Sequence, residues 1–133
     1  MTAMMFWAPV GMAETLLNAE QYDGISLGKT IYLDQGDEFY GAEQHFEGRR
    51  TMWKQAGGEC VEGFWYQEGD AICFTYPALG DTACWLIFQT DVGIKARLVG
   101  ADPMDDLLIV AVDTNELLCE TPFLNSNYPK DRH

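Results

Sequence analysis

A chain of 133 residues, 47% hydrophobic and 22% charged, has the size and composition of one globular domain that buries a core without a structural metal. Its charge is lopsided, with 21 Asp and Glu against 8 Lys and Arg for a formal net charge of −13. That excess disfavours nucleic acid and anionic membrane surfaces as partners and favours a cationic protein or ligand, besides keeping the domain soluble and self-repelling.

The first 13 residues, MTAMMFWAPVGMA, carry no charged side chain and hold four of the six methionines. The run is too short to span a bilayer. Val10-Gly11-Met12-Ala13 places small residues one and three positions before a cut at Glu14, so residues 1–13 are expected to be the remnant of a signal peptide, although no Lys or Arg precedes the apolar run. The expected domain, residues 14–120, keeps nearly all of the acidic charge.

Residues 16–27 carry the one helical signal. Asn18-Ala19-Glu20-Gln21 has the form of a capping box, and Gly24 is expected to stop the helix after about two turns, leaving a short lid or plug. From Gly28 the period becomes that of strands, expected at residues 28–33, 38–46, 49–55, 59–67, 71–76, 81–88, 94–99 and 107–112. Gln35-Gly36-Asp37, Glu47-Gly48, Ala56-Gly57-Gly58, Glu68-Gly69-Asp70, Asp91-Val92-Gly93 and the stretch from Gly100 to Asp106 supply the turns between them. Eight short strands joined by tight turns form an up-and-down meander, and closed on itself such a sheet encloses room for side chains or one small ligand. The predicted fold class is therefore all-β, a lipocalin-like antiparallel barrel with one N-terminal helix, followed by an irregular tail at residues 121–133.

The cysteines belong to this scheme. If Pro77-Ala78-Leu79-Gly80 is a complete turn, Tyr76 faces Asp81 and counting back sets Cys73 opposite Cys84, within reach of a disulfide across the hairpin. Ile72, Phe74 and Tyr76 then share the core face with Ala83, Trp85 and Ile87. Cys60 is left for Cys119, and the two other pairings of four cysteines stay open. In the loop-entropy picture the short bridge stabilises by about 3 kcal/mol and the long one by about 4 kcal/mol. An even number of cysteines without a C-x-x-C pair argues against a redox site or zinc ribbon and for an oxidising compartment.

Taken together, GKTIYL, YGAEQHF, RRTMWK, CVEGFWY, AICFTY, ACWLIF and the last cysteine, Cys119, resemble a family of small exported bacterial β-barrel proteins. The shared pattern is Gly-Lys-Thr, Tyr-Gly-x-Glu, C-x-x-G-x-W, I-C-F-x-Y and C-W, spread over residues 18–119. The resemblance implies a periplasmic or secreted, disulfide-linked, lipocalin-like barrel, and it carries no activity onto individual residues.

Catalytic motifs are missing: there is no G-x-S-x-G, H-E-x-x-H, phosphate-binding loop or dinucleotide fingerprint, and the serines are Ser26 and Ser126. Glu43, His45 and Glu47 share one face of a strand at two-residue spacing. Such a row holds a divalent metal if it converges, but alternation alone produces rows of this kind, and they are expected on the solvated outer face with Ala42, Gln44 and Phe46 opposite. Asp102, Asp105 and Asp106 crowd one loop and residues 34–38 another, neither at the spacing of an EF-hand. Around Met104, the first cluster is the preferred protein contact. Trp53, Trp65, Phe74 and Trp85 are the candidate lining of an apolar ligand cavity, with Phe64, Tyr66 and Tyr76 as further aromatics; such a set also serves as a barrel core. No cofactor is expected. The reading is a non-enzymatic, exported binding or accessory protein for a cationic protein or a small apolar ligand. Its alternatives are an inhibitor of a cationic hydrolase such as lysozyme, a structural subunit of an envelope complex and, least, a metal-assisted hydrolase.

Overall fold

The computed structural model describes residues 13–119. The expected tail lies outside that range, as does the expected leader apart from Ala13. The described chain is all-β, with a closed eight-stranded antiparallel barrel, one helix and both disulfides in the preferred pairing, Cys60–Cys119 and Cys73–Cys84.

The barrel strands are β2 (Thr30–Gln35), β3 (Glu38–His45), β4 (Arg50–Gln55), β5 (Cys60–Glu68), β6 (Ala71–Tyr76), β7 (Asp81–Thr90), β8 (Gly93–Leu98) and β9 (Leu107–Asp113). Each pairs with the next, and β9 returns to β2, so the sheet has the up-and-down order expected of tight turns. Cys73 stands opposite Cys84 and Tyr76 opposite Asp81, the register that a turn of residues 77–80 dictates. Closure is uneven, because β8 meets β9 at Lys95 with Leu108 and Ala96 with Leu107, and the chain between them, residues 99–106, makes a long outer loop.

Two elements differ from expectation. Thr15–Leu16 forms a short strand, β1, paired with Gln89 and Phe88 of β7. The helix, α1 (Ala19–Ser26), begins with the capping box, in which Asn18 N–H donates to Gln21 Oε1 at 2.8 Å and Gln21 N–H to Asn18 Oδ1 at 2.9 Å. It then runs past Gly24. Burial of Tyr22 and Ser26 and the Ser26 hydroxyl bonded to the Tyr22 carbonyl at 2.8 Å carry it through a residue of poor propensity, and the chain turns at Gly28, whose φ of 76° suits glycine. Leu17 N–H bonds to the Ile87 carbonyl, Ala19 N–H to the Gln67 side chain and Gly28 N–H to the His45 carbonyl, so the helix lies across one end of the barrel and closes it. Its Tyr22 ring enters the core edge-on to Trp65 at 5.1 Å and Phe74 at 6.1 Å.

Outside the barrel, residues 114–119 form a strap. The Asn115 carbonyl accepts from Thr30 on β2, Leu117 N–H donates to Gln44 on β3, and Cys119 bonds to Cys60 on β5. Met52, outward-facing on β4 between them, is consequently only 3% exposed.

Candidate functional site

The helix fills one half of the barrel and leaves the other open. A cavity of about 180 Å³ runs down from that open end. Its floor is Tyr22, Phe74 and Ile87; its walls include Ile31, Leu33, Trp53, Trp85, Leu107 and Ile109; Tyr40, Gln55, Leu79 and Asp81 stand around the mouth. For scale, an apolar cavity of ~150 Å³ engineered into a protein core accepts benzene.

Backbone geometry makes this space. Tyr40 is the extra residue of a bulge in β3, since Leu33 pairs with Gly41 and Asp34 with Phe39; its ring packs at 5.8 Å against Trp53. Gly41 faces the Trp53 indole so closely that a Cβ there overlaps the ring. At Gly63 a Cβ comes within 2.6 Å of the Tyr76 ring and 2.7 Å of the Thr75 carbonyl. Only glycine lets Tyr76 lie flat against β5 and reach across the barrel.

What Tyr76 reaches is Glu43. Its hydroxyl stands 2.9 Å from both carboxyl oxygens, and Glu43 is 5% exposed in the cavity wall. The Thr51 hydroxyl lies beside the same carboxyl in a geometry too poor for a full bond, so its oxygen is buried without a partner. Burial raises the Glu43 carboxyl to about 7, against the opposing pull of Thr51 and Tyr76. Behind it, His45 Nδ1 donates to the Glu43 carbonyl at 3.1 Å, which leaves Nε2 as acceptor for the Tyr22 hydroxyl at 2.7 Å. Burial lowers the imidazole to about 4, so it is neutral near pH 7. Burial and the charge of Glu43 both push the Tyr22 and Tyr76 phenols up, which keeps them donors.

No family model matches this chain, and no curated protein or solved structure matches it either.

The expected outer row of Glu43, His45 and Glu47 is thus corrected. Glu43 and His45 point inward, because Ala42 and Gln44 take the outer face under the strap, while Glu47 sits exposed on a turn (Glu47–Arg49). The three do not converge, and no metal-holding group of three such side chains occurs among the described residues. Within the candidate cavity set, Trp53, Phe74 and Trp85 line the space, whereas Trp65 is core, buried beneath the Arg49 guanidinium at 4.4 Å. Phe64 is exposed on the outside with Tyr66 near it. In the acidic loop, Met104 is 88% exposed and Asp102 caps the turn through Met104 N–H at 2.8 Å. Asp106 is not free for a partner: it holds Arg97 by two bonds of 2.8 Å and Lys95 at 3.5 Å, a cluster that Glu14 joins. Sequence reasoning missed Tyr22 and Tyr40 altogether; one belonged to a helix read only as a plug, the other to a bulge that alternation does not reveal.

The polar groups at the cavity are the carboxyls of Glu43 and Asp81, three phenols, Gln55 and the indoles of Trp53 and Trp85.

Proposed function

We propose that this protein is a non-enzymatic, exported binding protein that holds one small, largely apolar molecule in the open half of its barrel. The observation that carries the reading is the cavity itself: an apolar wall, a mouth at the end the helix leaves open, and a single buried carboxyl group at mid-depth. Two disulfides support folding in an oxidising compartment. The test is titration with benzyl alcohol followed by the fluorescence of Trp53 and Trp85, which line the cavity. Saturable quenching is expected, and Ala83→Trp, which fills the space, is expected to abolish it while the far-ultraviolet dichroism stays unchanged. Quenching that survives Ala83→Trp overturns the assignment of the site.

A second reading, recognition of a cationic protein or inhibition of a cationic hydrolase, is favoured by exposed Asp102, Met104 and Asp105 on a chain of net charge −13.

A further inference from the structure

Glu43 presents a problem of charge. A carboxylate accepts about four hydrogen bonds. Here the one full donor is the Tyr76 hydroxyl, shared between both oxygens, and among the described residues no Lys, Arg or imidazolium forms an ion pair with it. The charged groups and phenols facing it are few: Tyr76 from β6 with Tyr40 behind it, Tyr22 from α1, and neutral His45 on its own strand; Asp81 stands at the mouth. None is a cation. A buried carboxyl group without a counter-ion, in a cavity whose surfaces include Tyr22, Tyr40, Trp53, Phe74 and Trp85, is complementary to a positive charge on a compact apolar body. An ammonium brings three donors and no acceptor, ring faces attract it, and the acidic field of the domain concentrates cations at the mouth.

We propose that the cavity takes a small amine cation, an ammonium attached to an apolar body of about one ring, with Glu43 as its counter-ion and the aromatic walls around it. This rests on the reading of the cavity as a binding site and names the ligand class. A carboxylic acid is the excluded opposite, since it meets Glu43 and Asp81 with like charge. A neutral ligand remains compatible with the cavity but leaves Glu43 unpaired.

The experiment compares benzylamine, benzyl alcohol and benzoate, which share one body, by calorimetry on the full chain between pH 5 and 8.5. Benzylamine is expected to bind roughly 10- to 100-fold more tightly than benzyl alcohol above pH 7, and benzoate not at all. Because the empty barrel protonates Glu43 near neutrality, amine affinity should rise with pH and level off above about 7, with proton release measurable near pH 7 in buffers of different ionisation enthalpy. Glu43→Gln should erase both the amine preference and the proton release. If amine and alcohol bind equally without proton release, the cavity is a site but not for amines. If none binds, the proposed function falls as well. Amine binding that persists unchanged in Ala83→Trp places the cation on the outer acidic surface, and binding unchanged in Glu43→Gln removes Glu43 as its counter-ion; either overturns the inference, and tighter binding of benzoate overturns it from the other side.

Discussion

At the scale of single residues, Glu43 and His45 give the barrel a pH response that is hidden in the wild type. The folded value of Glu43, about 7, lies above its ordinary 4.5, so its contribution is fully present below pH 4.5 and is lost as pH rises through 7. For His45, the folded value of about 4 lies below 6.5, so stability is lost as pH falls from 6.5 towards 4. Between 4.5 and 6.5 one extra proton is held by the native state and one by the unfolded state, and the two slopes cancel. Relative to wild type, Glu43→Gln should lose stability as pH falls through this window and His45→Gln should lose it as pH rises, each by about 1.4 kcal/mol per pH unit. Urea unfolding at half-unit steps measures this, and parallel profiles for all three proteins contradict the buried assignment. Little of it was legible beforehand. Alternation put Glu43 and His45 on one face but is silent about which face is inside, and what decides the matter is the strap at Gln44 and the flat Tyr76 against Gly63, both far away in sequence.

Among elements, the hairpin β6–β7 was readable because a four-residue turn fixes the register and the register fixes the Cys73–Cys84 bridge. The seam between β8 and β9 was not, since an eight-residue connection sets no register. Its short ladder is braced by side chains instead: Asp106, just before β9, clamps Arg97 of β8, and Arg97 also reaches Glu14 at 3.1 Å and lies 4.9 Å from the Phe88 ring centre. Arg97 holds the Asp106 carboxyl below its ordinary value, so this stabilisation is present at neutral pH and lost as pH falls through the folded value. Asp106→Asn is expected to cost about 1–3 kcal/mol at pH 7, since it turns charge-assisted bonds into weaker ones, and to cost little at acid pH where the carboxyl is already neutral. Exposed Asp105→Asn is the control, expected within about 0.5 kcal/mol of wild type. Equal effects of the two variants in urea unfolding refute the brace.

For the molecule as a whole, strand periodicity and turn chemistry predicted a closed barrel of eight strands, and the interior they imply is divided between a helical plug and a small cavity. Among the described residues no helix is long and apolar enough to cross a membrane. The two bridges are nested, with Cys73–Cys84 inside the loop closed by Cys60–Cys119. A chain made from its N-terminus releases Cys60 and Cys73 first, 13 residues apart by their numbers, whereas Cys119 follows Cys60 only after 59 residues. The shorter loop closes more readily, so the first sulfur to find Cys60 is the wrong one. That bond is incompatible with the native sheet: Cys73 must stand beside Tyr66, six residues and about 20 Å along β5 from Cys60. Nascent chains arrested before Cys84 is made and exposed to a glutathione buffer should therefore hold a Cys60–Cys73 bond, seen by peptide mapping after acid trapping, which a disulfide isomerase should clear once the chain is complete. Refolding of the full reduced chain, where the Cys73–Cys84 separation of 11 residues is the shorter, should instead form the hairpin bridge first. The Cys60→Ser/Cys119→Ser double variant, left with the hairpin pair alone, should oxidise at a rate indifferent to the isomerase. The order in which the thiols are born thus runs against the order in which the barrel needs them, so maturation of this small domain is expected to run faster with an exchange catalyst than with an oxidant alone.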